Sequence, residues 1–228
     1  MLLLLYSCRS INSSREETGV PPSTVILSFD DGPNANDDTT ARLLDVLSKY
    51  RIKAMFALLG ENAEANPELV RRIHNEGHII INHGYSGKWS GRMSKDAFRN
   101  NLVSGEAAIS AALGMELHPK LYRPHGGFFN SAQEKICRAA GYTIVPANVR
   151  IYDAVLSGAE KEKAVKKILK AVEKQNGGIV LLHDARDSHY QMEKKLEKKP
   201  DGVFNRSWLP ETVEEIITAL LDKGFSFN

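Results

Sequence analysis

The sequence predicts an α/β fold built on a parallel sheet. Two observations carry this. From Thr24 onward, short apolar runs alternate with amphipathic helical stretches. Most of those stretches are bounded by cap and stop residues. The length of 228 residues, with 42% hydrophobic and 25% charged residues, fits one soluble domain of ordinary composition.

The elements follow in order. Val25–Phe29 reads as the first strand, and a helix starts near Asp38, an N-cap residue type, and runs to Tyr50. Ala54–Leu58 is the second strand. Asn66-Pro67 opens the next helix, with proline in its first turn, and Gly77 closes it. Ile79–Ile81 is the third strand. Ser94 caps a long helix that runs to Leu113 and stops at Gly114. A short strand lies at Leu121–Arg123, a helix at Ser131–Ala140, and a strand at Thr143–Val145. A helix over about Ala159–Gln175 precedes the strand Ile179–Leu182. Ala185 to Trp208 is polar and reads as a long loop. The helix Glu211–Lys223 leads to a seventh strand, Phe225–Phe227. Such alternation calls for helical crossovers between parallel strands. An open doubly wound sheet and a closed barrel both satisfy it.

Residues 1–20 read as a leader and polar tether, and 21–228 as the domain proper. Leu2–Leu5 followed by Tyr6-Ser7-Cys8 is similar to the end of a bacterial lipoprotein signal, although no Lys or Arg precedes it. The expectation is an exported protein, periplasmic or at the cell surface, touching the membrane only through a lipid on Cys8. Cys137 reads as a small buried thiol. A net charge of +2 gives no electrostatic case for nucleic acid. The lysine-rich stretches 161–174 and 194–199 read as solvated faces.

In parallel α/β folds, sites gather at the C-terminal ends of the strands. Here those ends carry Asp30-Asp31-Gly32-Pro33, Asn82-His83-Gly84, Arg123-Pro124-His125-Gly126-Gly127, the segment with Asp153, and His183-Asp184. Singly, each has a bland reading as turn chemistry, a loop cap or a surface pair. Together they describe a hydrolytic site, metal-assisted or not, with a carboxylate base and a histidine acid.

At these residues the sequence resembles the polysaccharide deacetylase family of chitin, chitooligosaccharide and peptidoglycan N-deacetylases. The resemblance runs through Ser28–Pro33, Gly77–Ser86, Tyr122–Gly127, Ala147–Ala154 and Leu181–Asp184. It implies a distorted barrel of about seven parallel strands. It also implies Asp30 as general base and His183 as general acid. Arg123 would orient Asp30, and Asp153 would orient His183. Asp31 and His83 would hold a divalent metal, zinc foremost. Gly126 would offer a backbone N–H to the oxyanion, and Leu181 would line the pocket for the acetyl methyl. The partner implied is an N-acetylated glycan, chitin-like or peptidoglycan.

The sequence also departs from the family pattern. Gly87 stands where the resemblance implies a second metal histidine, leaving two ligands where three are usual. His125, on the same rim, is the candidate replacement. Ala147 and Ala154 stand at usual aromatic positions, and Arg150 at that of an acid. Two alternatives follow from the loss at Gly87: a glycan-binding relative that no longer cleaves, and a hydrolase of another amide that needs no metal. His74, His78, His118, His189 and Glu61 read as structural or surface residues.

Overall fold

The computed structural model describes residues 9–11, 13–185 and 206–227. Cys8, His189, the 194–199 stretch and most of the polar run after Ala185 lie outside the described residues. The elements are β1 (Arg9–Ser10), α1 (Arg15–Thr18), β2 (Thr24–Asp30), α2 (Thr39–Lys49), β3 (Met55–Leu58), α3 (Gly60–Ala65), α4 (Pro67–Asn75), β4 (Ile79–Asn82) and α5 (Lys95–Leu113). They continue with β5 (Leu121–Tyr122), β6 (Phe128–Phe129), α6 (Ser131–Ala139), β7 (Thr143–Ile144), β8 (Val149–Arg150), α7 (Lys161–Gln175), β9 (Gly177–His183), α8 (Leu209–Asp222) and β10 (Ser226–Phe227).

Seven strands follow one path in the order β7-β5-β4-β3-β2-β9-β8, and β10 adds to the start of β2. Every pairing in this sheet is parallel. The sheet curls into a half-barrel with helices around it. All seven expected strands are present. β8 is additional, and its two residues are too few to show a period in sequence. The two ends of the path, β7 and β8, are sequence neighbours joined only by residues 145–148.

The helices bury the stripes their spacing lays out. α8 turns Val213, Ile216, Ile217 and Leu220 inward, and α7 turns Ala164, Ile168 and Val172. These meet Leu43, Leu44 and Leu47 of α2 and the outer face of β2, including Val25, Leu27 and Phe29, in one core. Each such large aliphatic contributes about 1.5–3 kcal/mol on burial. Ser94 caps α5 as expected, accepting from the Ala97 N–H at 3.3 Å. Asp38 does not cap α2. It sits in the left-handed region at φ 53° and ends a short 3₁₀ turn, so its side chain makes no cap bond.

The region before β2 packs on the domain. Ile11 is 3% exposed and Val20 is 4% exposed; both join a buried cluster with Phe129, Ala147, Ile179 and Leu181. β1 pairs antiparallel with β6. Ser14 caps α1 in a reciprocal capping box with Glu17.

Candidate active site

β2 ends in two carboxylates that serve different partners. Asp30 is 3% exposed, and the Arg123 guanidinium donates to its Oδ1 at 2.5 Å. Arg123 is fully buried and also donates to Ser28 Oγ at 2.6 Å. Its position is set by the Arg123 N–H, which donates to Asn82 O at 3.0 Å as β5 ends beside β4. Asp31 turns the other way because its backbone enters the left-handed region at φ 75°. Two bonds hold it there: its N–H donates to Ala57 O at 3.0 Å, and Asn62 Nδ2 donates to its carbonyl at 2.7 Å. Gly32 follows because a Cβ there would meet the Asp184 carboxylate oxygens at 2.5 Å.

His83 follows β4. Its Nδ1 lies 2.7 Å from the Arg123 carbonyl, which can only accept, so Nδ1 carries the hydrogen and Nε2 keeps its lone pair. That Nε2 stands 3.4 Å from Asp31 Oδ1, and His125 Nε2 stands 3.4 Å from the same oxygen. His125 belongs to the turn between β5 and β6 and is 6% exposed. Burial by itself would raise the Asp31 pKa. The His125 and His83 imidazoles outweigh it and hold the carboxyl well below the usual range.

These three residues form a buried group whose ligand atoms all lie within 4.8 Å of one another. A metal fits them on three grounds. Asp31 Oδ1 is buried with no hydrogen-bond partner. Ligand atoms at about 2.0–2.1 Å from a tetrahedral ion stand about 3.4 Å apart, which is the separation from Asp31 Oδ1 to each imidazole. The His83 tautomer presents its free lone pair to the group. Gly87 supplies no ligand, and among the described residues the third donor near Asp31 and His83 is His125.

Opposite lies His183 at the end of β9. Its Nδ1 is 2.8 Å from Asp153 Oδ1, and its backbone N–H donates to Asp153 Oδ2 at 2.9 Å. Asp153 is fully buried and is also gripped by Arg206, which donates to Oδ2 at 2.5 Å and to the Asp153 carbonyl at 3.0 Å. Arg206 further donates from Nε to the His183 carbonyl at 2.9 Å. Burial works against the imidazolium, but the Asp153 carboxylate, then Asp31 and Asp30, overcome it and raise the His183 pKa to about 9. Burial likewise disfavours the Asp153 carboxylate; His183 and Arg206 reverse that and lower its pKa.

Asp30, Asp31, His83, His125, Gly126, Leu181 and His183 line one cavity of about 190 Å³. Ile11, Trp89, Gly127, Phe128, Arg150, Tyr152 and Ala154 complete its walls. Phe128 and Tyr152 are exposed, and the Arg92 guanidinium stacks 4.4 Å over the Trp89 ring. Arg123 and Asp153 stand behind the lining. Of the remaining expected bystanders, His78 is buried away from the cavity and accepts from the Ala54 N–H at 3.1 Å. His74 and His118 line a separate cleft with it. Glu61 sits in α3, off the cavity. The sequence reading missed Arg206, Ile11, Trp89 and Tyr152. No pattern around Arg206 in its polar stretch marks it, since its partners arrive from β9 and the Asp153 turn.

The description "polysaccharide deacetylase" belongs to the family whose sequence profile matches residues 17–145. This chain belongs to that family. It is 30% identical over 215 residues to a chitooligosaccharide deacetylase of Rhizobium leguminosarum bv. trifolii, covering 93% of each. It is 34% identical over 167 residues to a peptidoglycan-N-acetylglucosamine deacetylase of Bacillus cereus, where it covers 73% of itself and 58% of that relative. The chain thus spans little more than half the length of that protein. The solved structure of a peptidoglycan N-acetylglucosamine deacetylase bound to an N-hydroxybenzamide matches with a TM-score of 0.69 and 31% identity. That match covers 91% of this chain and 86% of the other. The relatives are by name deacetylases, hydrolases of a carbon–nitrogen bond other than a peptide bond.

Proposed function

We propose that the protein hydrolyses N-acetyl groups on the amino sugars of a glycan, a chitin-type oligosaccharide or peptidoglycan. The observation that carries this is the arrangement around one cavity: an Arg123–Asp30 pair and an Asp153–His183 pair flank three convergent ligands, Asp31, His83 and His125. Those three would hold a divalent ion, zinc by the chemistry of one carboxylate with two imidazoles. Such an ion supplies positive charge at the amide carbonyl and acidifies water near it.

The chain's own residues do the remaining work. Asp30 takes up a proton from the attacking water; Arg123 fixes the direction of its free oxygen and balances its charge in a dry setting. His183 gives Nδ1 to Asp153, so Nε2 faces the reaction. With a pKa of about 9, the imidazole is protonated at neutral pH and delivers that proton to the departing amine. Asp153, held anionic by Arg206 and His183, orients the ring throughout. The Gly126 N–H assists the oxyanion, and Leu181 shields the methyl. The division of labour between adjacent Asp30 and Asp31 comes from environment: one faces a guanidinium, the other two imidazoles. Glycans of this kind lie outside the cytoplasm, so the proposal includes export.

Acetate release from chitooligosaccharides and from peptidoglycan, with and without added zinc, tests the assignment. Asp30→Asn and His183→Ala are each expected to lower kcat by at least about 10²-fold. Wild-type rates in both variants would defeat it, as would no acetate from either glycan at saturating metal.

A further inference from the structure

Ile11 lies outside the 17–145 stretch that matches the family, yet it walls the cavity beside Asp30, Leu181 and His183. Three sets of backbone bonds fix it there. The Ile11 N–H donates to Gly127 O at 3.0 Å, and its carbonyl accepts from the Ala147 N–H at 3.1 Å. Immediately before it, Arg9 and Ser10 pair with Phe129 and Phe128. The side chain is 3% exposed and shares a buried cluster with Leu181 and Ala147. Within that cluster Ile11 and Leu181 are the two branched side chains that also line the cavity, while Ala147 beside them is small. A branched side chain held by its backbone on both sides has little room to give way.

We propose that Ile11 determines which acyl group the site accepts, restricting it to acetyl by occupying the space that a longer acyl chain would enter beside Leu181. This rests on the deacetylase reading. It also makes the strand Arg9–Ser10 with Ile11 part of the site, so a protein trimmed to begin after α1 would have an open cavity wall.

The test compares N-acetyl and N-butyryl chitotriose on the full chain, for wild type, Ile11→Ala and Ile11→Val. Hydrolysis gives kcat/KM, and calorimetry gives binding of the same two sugars. A pocket wall discriminates by roughly 10–200-fold per methylene. Wild type is therefore expected to prefer acetyl at least about tenfold. Ile11→Ala, which removes more carbon than butyryl adds, should narrow that ratio at least about tenfold through a gain on the butyryl sugar. Ile11→Val frees room for one carbon where butyryl adds two, so it should shift the ratio in the same direction but less than Ile11→Ala. A loosened strand would instead weaken both sugars equally. An unchanged ratio in Ile11→Ala, or equal losses on both sugars, overturns the proposal. Wild type that binds without cleaving defeats the deacetylase reading alone, and the binding ratio then decides the role of Ile11. Neither binding nor cleavage overturns both.

Discussion

At the scale of single residues, two buried carboxylates of the site, Asp30 and Asp153, are each paired with a buried guanidinium, Arg123 and Arg206. Arg206 shows what such a residue is worth. It bridges Asp153 and the His183 carbonyl from a fully buried position. Replacing it with Met leaves the Asp153 carboxylate buried with one cation fewer, and breaking a buried pair on one side costs about 3–5 kcal/mol. Arg206→Met is expected to lose about that much stability in urea unfolding and to lower kcat as well. Stability within about 0.5 kcal/mol of wild type would show that the bridge is dispensable. The ligand group gives a second expectation. His83→Ala and His125→Ala should each weaken zinc binding by at least about tenfold in competition titrations, while His74→Ala should not. An unchanged affinity in His125→Ala would remove it from the ligand set. Asp30, Asp31, His83, His125, Arg123 and His183 could be named from sequence because each sits at or just past a strand end. That His125 approaches Asp31 as closely as His83 does, at 3.4 Å, could not, because it depends on the turn that Gly126 and Gly127 allow at φ 78° and 75°.

At the scale of elements, α5 and the loop after β4 determine where His83 points. Asn101 of α5 accepts from the backbone N–H groups of Tyr85 and Ser86 at 3.2 and 3.0 Å. Asn82 accepts from the Gly84 N–H at 2.8 Å. Gly105 lets the helix come this close, since a Cβ there would stand 2.6 Å from Asn82 Oδ1 and from the Gly84 carbonyl carbon. Two effects oppose each other in Gly105→Ala. Helix propensity favours alanine by about 1 kcal/mol. Overpacking against backbone costs about 1–3 kcal/mol, so the second should win. The variant is expected to be destabilised by up to about 2 kcal/mol, with weaker zinc binding as the His83 loop shifts. Higher stability with unchanged zinc affinity would show that the close approach is not needed. In sequence, Gly105 reads only as an isolated glycine in a helix. β8 and α3 are equally silent: elements of two and six residues carry no clear period, and their partners are β9 in the first case and α5 with the loop after β4 in the second.

At the scale of the whole molecule, stability should depend on pH through His183 at the end of β9 and the buried Asp184 that follows it. The folded pKa of His183 is raised from 6.5 to about 9, so its contribution is complete below pH 6.5 and is lost as pH rises through about 9. Asp184, driven up to about 7 by burial with the Asp31 charge adding, contributes in the same direction and loses its share between about pH 4 and 7. In chelator-treated protein, the urea midpoint is therefore expected to fall between pH 6.5 and 9.5. The part due to His183 is at most about 3 kcal/mol. His183→Gln should flatten that fall above pH 7. A midpoint that declines equally in both proteins would place the titrating group elsewhere.

The sequence by itself determined the strand–helix order, the parallel sheet and the rim on which the chemistry stands. These are set by local periodicity, caps and the direction of each strand, which a chain carries wherever it folds. It did not determine which residues touch. The Arg206 bridge, the approach of His125 to Asp31 and the seating of Ile11 against Leu181 each join residues far apart in the chain. No local pattern encodes such contacts, because their energy exists only once the sheet has curled and brought its ends together around one cavity.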